Sequence, residues 1–274
     1  MNGAAKLHTS FLGSLDVDRL GTVLSVWAHP DDETYLAGGL MAACAAAGQR
    51  VVCVSATAGE HGTPDPVAWP PERLGRVRRW ESAAAMAVLG VDDHRVLGFE
   101  DGTLATIEPS VGISAIRQLI DEVRPDTILT FGPDGMTFHS DHIAIGAWTT
   151  RAWESTGRSA RLLYAATTHA HQAAFGAIYE EWGIYMTDER PLGYAAVELA
   201  VHHVLHDERL DQKLAALAAM ASQTADVIAT LDPAVWRAAN SEECFVDAST
   251  VSARTTASTS PATKFGFEAV GDGG

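Results

Sequence analysis

Short, uninterrupted apolar runs alternate with longer stretches of helical period through the first half of the chain. Residues 22–27, 50–56 and 126–131 are such runs, and each predicts a strand, as does the short stretch over 94–97. They do not alternate apolar with polar positions, which predicts a sheet covered on both faces. Between them, residues 34–48 predict an alanine-rich helix closed by Gly48, and 72–89 a charged amphipathic helix closed by Gly90. Residues 110–123 predict a helix stopped by Arg124-Pro125, and 139–154 another. A loop over 57–71 carries Pro64, Pro66 and Pro70. Strand and helix in this repetition predict an α/β fold, a mostly parallel sheet with helices on both faces. Open sheets of that kind bind ligands at the carboxyl ends of their strands. Chemistry is therefore expected just after Trp27, Ala56, Leu97 and Phe131.

The second half is less regular. Residues 161–166 and 195–201 predict strands, and 207–222 a helix. From Ala248 onward Ser, Thr, Ala and Gly dominate, which predicts a loosely attached tail. The expected organisation is one domain over residues 1–247 and a tail over 248–274, with no internal repeat.

Composition narrows the function. The chain has 274 residues, 47% hydrophobic and 20% charged, enough apolar material for a core and too much for a disordered chain. Nineteen Lys and Arg against 35 Asp and Glu give a net charge of −16. That surface repels nucleic-acid phosphates and anionic membranes, so a small-molecule partner is expected. Cys44, Cys53 and Cys244 form no Cys-x-x-Cys pair and read as small buried hydrophobes. Unpaired cysteines suit the cytoplasm, the expected location. No run reaches the roughly 18 apolar residues that span a bilayer. Residues 1–21 lack the basic flank and apolar stretch of a secretory signal.

Two polar blocks stand where the sheet should expose a site. Ala28-His29-Pro30-Asp31-Asp32-Glu33 follows the first strand directly. Gly132-Pro133-Asp134-Gly135, and then His139-Ser140-Asp141-His142, follow the strand over 126–131. Imidazole and carboxylate are zinc ligands, and a catalytic zinc keeps three protein ligands with one open position. His29, Asp32 and His142 supply such a set, and Asp31 is then the adjacent carboxylate that takes a proton from metal-activated water. His139, one helical turn before His142, is the candidate acid or oxyanion stabiliser as an imidazolium, with Asp141 holding its tautomer or charge. Either block alone reads equally as a turn and helix cap. Two blocks at two strand ends exceed what capping requires.

The blocks resemble the paired motifs of the PIG-L/LmbE-like zinc-dependent N-deacetylases, with Ser140 where proline is usual. The likeness runs over about residues 22–147. It implies a Rossmann-like fold, one Zn2+ or another divalent ion per chain, and hydrolysis of a linear amide. The implied substrate is an N-acetylated amino sugar or glycoconjugate. It places metal binding on His29, Asp32 and His142, the base on Asp31 and the acid or oxyanion role on His139. Softer matches imply substrate contacts for Glu60 in the loop after the second strand, for Arg78 and Glu81 on the next helix, and for Asp101 before Gly102. Without the family these residues read as a solvated helix pair and a plain turn. Lys213-Leu214-Ala215-Ala216 and Ser222-Gln223 resemble a family helix, but Met220 stands where histidine is usual, so no family role carries over there.

Other features compete. His202 and His206 have the i,i+4 spacing of helical zinc ligands but lack the His-Glu-x-x-His pattern. His169 and His171 are candidates for a pocket wall, and Trp69, Trp80, Trp182 and Tyr185 for stacking on a sugar face. A nucleotide-binding fold is disfavoured because the first strand leads into acids, which repel pyrophosphate, rather than into a glycine-rich loop. A metal-dependent carbohydrate-binding module would need neither Asp31 nor His139. An amidase acting on a thiol–sugar conjugate stays open beside the deacetylase.

Overall fold

A computed structural model describes residues 17–251. The expectations for residues 1–16 and for the tail from 252 onward lie outside the described residues. The apolar runs form β1 (Val23–Trp27), β2 (Val51–Ser55), β3 (Asp93–Val96), β4 (Thr127–Phe131) and β5 (Arg161–Thr168). These pair in parallel in the order β3-β2-β1-β4-β5. Every residue of β1, β2 and β4 is buried, as strands covered above and below must be. The covering helices include α1 (Asp32–Ala46), α2 (Pro71–Leu89), α3 (Pro109–Val123) and α4 (Ser140–Ser155). The fold is thus the mixed α/β architecture read from the pattern, a mostly parallel central sheet flanked by helices.

Strand order reverses at β1. The chain steps outward from β1 through β2 to β3, then returns to the other side of β1 with β4. Such a switch point leaves a crevice between the carboxyl ends of the two strands. The floor of that crevice is apolar. Trp27 ends β1, Phe131 ends β4, and their rings meet edge to face with centroids 4.9 Å apart.

Beyond β5 the sequence pattern misplaces several elements. Helix α5 (His169–Glu181) follows β5 directly, and β6 (Gly193–Tyr194) pairs with the end of β5. The strand expected over 195–201 is a short 3-10 turn, Ala196–Glu198, followed by β7 (Val201–Val204). The single helix expected over 207–222 is two, α6 (Asp207–Ala218) and α7 (Ala221–Thr230). The chain turns at Met220, and the N–H and hydroxyl of Ser222 both donate to Glu81 of α2. Helix α8 (Pro233–Ala239) leads into β8 (Glu242–Asp247), which pairs antiparallel with β5 and β7.

Strand β8 is hard to read because it carries Glu243, a buried carboxylate in the middle of a core strand. Its partner is Lys213, 2.9 Å away, and both side chains have 0% exposure. Glu243 also accepts the N–H groups of Gly39 and Leu40, each at 2.7 Å, while Lys213 donates to the Tyr35 carbonyl at 2.7 Å. The ion pair therefore fastens α1, α6 and β8 together through backbone groups within α1. Cys44, Cys53 and Cys244 are free and buried, as expected. Among the described residues, no helix is long and apolar enough to cross a membrane.

Candidate active site

The chain leaves β1 and enters α1 within a few residues, and Asp31 makes the turn. It caps α1 at φ 110° and ψ −34°, a conformation that residues with a Cβ rarely adopt. Neighbouring bonds hold this strain. Arg78, buried in α2, donates to the Pro30 carbonyl and lies 3.4 Å from the Asp31 carboxylate. The Asp31 N–H donates to Glu33 Oε2 at 3.1 Å. Arg78 also donates to the Gly59 carbonyl at 2.7 Å, joining the loop after β2 to the same turn.

His142 enters from the first turn of α4. Its ring stacks on Phe131, centroids 4.2 Å apart and planes within 11°. Gly135 lets the preceding loop close over the ring: its φ is 61°, and a Cβ there would come 2.8 Å from that of His142.

Both imidazoles have their tautomers set by neighbours. His142 Nδ1 lies 3.0 Å from the Gly135 carbonyl, which only accepts, so Nδ1 carries the proton and Nε2 a lone pair. His29 Nε2 lies 3.0 Å from Asp101 Oδ1 and 3.4 Å from Asp141 Oδ2, so Nε2 carries a proton and the neutral ring keeps its lone pair on Nδ1. The two lone-pair nitrogens are 3.2 Å apart. Asp32 closes the group, with Oδ1 3.3 Å from His142 Nε2 and Oδ2 3.5 Å from His29 Nδ1. Two neutral imidazoles and a carboxylate converging this closely fit a divalent ion such as zinc. In the metal-free chain, burial pulls His29 down, but Asp101, Asp141 and Asp32 outweigh it and hold its pKa well above the ordinary value. Burial works against the Asp32 carboxylate, yet His142 and His29 hold it below its usual range.

The flanking groups differ in charge. Burial raises the Asp31 carboxyl to about 6 against the pull of Arg78. Burial raises Glu33 to about 8, with Asp31 adding to it. Asp101 is held at about 2 despite burial, because it accepts from His29.

His139 is the N-cap of α4, and its Nδ1 accepts the Asp141 N–H at 3.1 Å. The proton of a neutral His139 ring is then on Nε2. Its ring centroid lies 4.9 Å from those of His29 and of His142. A nitrogen of His139 also lies within 4.8 Å of ligand-type nitrogens on His29 and His142, close enough to be weighed as a ligand. The cap bond argues otherwise, since it occupies the one lone pair of the neutral ring. Burial and then the charge on His29 push His139 below the ordinary histidine value. The cap bond favours a neutral ring offering Nε2–H over an imidazolium. The Asp141 carboxylate faces His29 rather than His139, and accepts the N–H groups of Gly102 and Leu104, at 2.8 and 3.0 Å. Only its backbone sets the His139 tautomer.

Asp31, His139 and the convergent donors line a cavity of about 710 Å³. Of the residues expected at substrate, Arg78 and Asp101 reach its wall. Glu60 instead accepts the Asp101 N–H at 3.1 Å and so positions the residue that orients His29. Glu81 is engaged by Ser222 and lies outside the lining. Trp182, Tyr185 and His171 line the cavity; Trp69, Trp80 and His169 do not, and Trp80 is 78% exposed. His202 lies on a strand, not a helix, so it cannot pair with His206 at helical spacing; it neighbours Glu242 and Cys244 instead. Sequence reasoning missed Glu33 and Thr137. Thr137 Oγ1 lies 3.1 Å from His142 Nδ1, and only its place in the loop before His142 signals it.

Known proteins resemble this chain over the same elements. The family model described as PIG-L, GlcNAc-PI de-N-acetylase, matches residues 24–153, which contain both polar blocks. A 1D-myo-inositol 2-acetamido-2-deoxy-alpha-D-glucopyranoside deacetylase of Mycolicibacterium vanbaalenii is 33% identical over 230 residues, covering 73% of this chain and 80% of the relative. The enzyme of the same name from Kineococcus radiotolerans is 35% identical over 176 residues, covering 54% of this chain and 49% of the relative. The chain thus spans about half the length of several curated relatives it matches. In structure it resembles the N,N'-diacetylchitobiose deacetylase of Pyrococcus horikoshii, with a TM-score of 0.59, 21% identity and 84% of each chain covered. That likeness shows the fold, and the sequence similarity across both polar blocks shows the lineage: the chain belongs to the PIG-L family.

Proposed function

We propose that this chain is a zinc-dependent hydrolase that removes the N-acetyl group from an N-acetylglucosaminyl conjugate, with one ion per chain held by His29, Asp32 and His142. The observation that carries this reading is the pair of facing lone pairs on His29 Nδ1 and His142 Nε2, 3.2 Å apart beside the Asp32 carboxylate. The substrate class is supported by the names of the relatives, which act on an acetamido sugar joined to inositol.

A zinc ion in that position would polarise the amide carbonyl and make water acidic near neutral pH. The chain's own groups supply the rest. Asp31, turned over the site by its strained backbone, accepts a proton from the attacking water. His139 directs Nε2–H at the oxygen of the amide carbonyl as negative charge develops there. The proton held by Asp31 passes to the nitrogen as the C–N bond breaks, which leaves acetate and a free amine. Arg78 keeps Asp31 aimed, while Asp101 and Asp141 keep His29 aimed.

Acetate release from N-acetylglucosaminyl-inositol and from other N-acetylglucosaminides, by the zinc-loaded chain, tests this reading. Activity lost to a chelator and restored by zinc is expected. Stoichiometric zinc without acetate from any of these amides would sink the hydrolase and leave a binding protein.

A further inference from the structure

Away from Asp31 and His139, the cavity changes character. Its far walls come from α5, the segment over 182–191, α7 and α8, the region where the sequence pattern was least regular. Besides Phe131, five Tyr and Trp rings line it: Tyr35, Tyr179, Trp182, Tyr185 and Trp236. Tyr35 and Trp236 meet edge to face, centroids 6.2 Å apart. Aliphatic side chains such as Ile178, Ile184 and Leu231 lie in the same lining. At about 710 Å³ the space exceeds what an acetamido sugar alone fills, and it falls within the roughly 300–1,000 Å³ of sites that bury larger ligands.

Four polar nitrogens in this wall are already engaged. Gln172 Nε2 donates to the Pro191 carbonyl at 2.6 Å, and Asn240 Nδ2 to the Trp236 carbonyl at 2.9 Å. Gln223 Nε2 donates to the Gly62 carbonyl at 3.1 Å, and His171 Nε2 pairs with the Tyr179 hydroxyl at 2.8 Å. A polyol entering here would surrender water from many hydroxyls and meet ring faces and donors already in use. An apolar group would lose nothing comparable.

The segment that carries these rings is held over the site rather than packed into the core. Helix α5 buries none of its residues, and Trp182 and Met186 are 36% and 55% exposed. One bond fastens the segment to the catalytic side: the Met186 N–H donates to the Thr137 carbonyl at 2.9 Å. Large apolar side chains kept at a cavity mouth mark a surface that meets an apolar ligand.

We propose that the substrate carries a bulky aromatic aglycone, which lies against Tyr179, Trp182 and Tyr185, in place of the inositol of the relatives' substrate. This rests on the deacetylase reading and adds the chemical class on the other side of the sugar. Rings stacking on that wall supply binding that is insensitive to the amide chemistry.

Three amides and the zinc-loaded full chain test it: 2-naphthyl N-acetylglucosaminide, N-acetylglucosaminyl-inositol, and glucosamine N-acylated with a naphthoyl group. The expected result is a kcat/KM for the naphthyl glycoside about tenfold or more above that for the inositol conjugate, within the range a hydrophobic pocket confers. The ratio should shrink in Trp182→Ser, through KM rather than kcat. An equal or reversed ratio overturns the proposal while leaving the deacetylase intact. Preference for the naphthoyl amide overturns it too, since the apolar wall would then receive the acyl group. If no amide is hydrolysed, the deacetylase reading fails, and calorimetric binding of 2-naphthyl glucosaminide decides the pocket. Binding that weakens in Trp182→Ser supports it, and no binding, or no change, overturns it.

Discussion

His29 Nδ1 and His142 Nε2 face each other 3.2 Å apart. Each ring's remote nitrogen is committed elsewhere, one to Asp101 and Asp141, the other to the Gly135 carbonyl. When both rings are neutral, the two inner nitrogens and the Asp32 carboxylate face the same point and suit a cation there. The purified chain is expected to hold one zinc or similar ion. In His142→Ala, elemental analysis should show only traces, and full retention would refute the ligand set. Chelating the metal should also lower Tm. An ion at about 100 times its Kd contributes about 2.7 kcal/mol to the folded state.

Asp31→Asn keeps the size of the side chain and the backbone bond to Glu33 but cannot take up a proton at neutral pH. Turnover is expected to fall roughly 10²-fold or more, the lower range for a general base. Metal content and Tm should stay near the parent values. Turnover within a few-fold of the parent would show that water is activated without Asp31.

His139→Ala removes a donor, not a ligand, on the tautomer set by the Asp141 N–H. The expected loss is about 10²- to 10³-fold in kcat, as for an oxyanion-hole donor, with zinc content unchanged. Zinc lost in parallel with kcat would instead make His139 a third nitrogen ligand.

Lys213→Met leaves the Glu243 carboxylate buried without its cation. Stranding one partner of a buried pair costs about 3–5 kcal/mol. Urea denaturation should show a lowered midpoint of that size, and a shift below about 1 kcal/mol would mean that the backbone donors of Gly39 and Leu40 suffice for Glu243.

His94 gives a pH dependence away from the site. Burial pushes its pKa below the ordinary value, with Asp93 opposing. The unfolded chain therefore binds more protons than the native one once the pH falls below about 6.5, and stability drops until the folded pKa is reached. His94→Gln should flatten the fall of Tm between about pH 7 and 5 relative to the parent. Parallel curves for the two proteins would remove His94 from the account.

Much of the first half could be read before the structure. β1, β2 and β4 are apolar on both faces, and that alone marks central strands of a parallel sheet. Their carboxyl ends are then fixed, and so are the two polar blocks that follow them. Beyond β5 the same reasoning weakened for identifiable reasons. Helix α5 presents no buried stripe because it walls a cavity instead of the core. Strand β8 hides behind Glu243, whose partner is thirty residues away on α6.

The sequence by itself determined the fold class and the two polar blocks at the strand ends, because apolar periodicity and strand-end position are local properties of the chain. It did not determine what each of those residues does. Whether Asp141 serves His139 or His29 depends on where the Gly102 and Leu104 N–H groups hold its carboxylate. Arg78 reads as an ordinary helix charge until the turn at Pro30 and Asp31 is brought against it. Glu81, three residues on, is drawn to Ser222 of α7 instead. Those assignments are hydrogen bonds between segments 37 or more residues apart, such as Leu104 with Asp141 and Arg78 with Pro30. No local pattern encodes them, so proton positions, ligand order and the character of the cavity wall were decided only when the sheet brought those segments together.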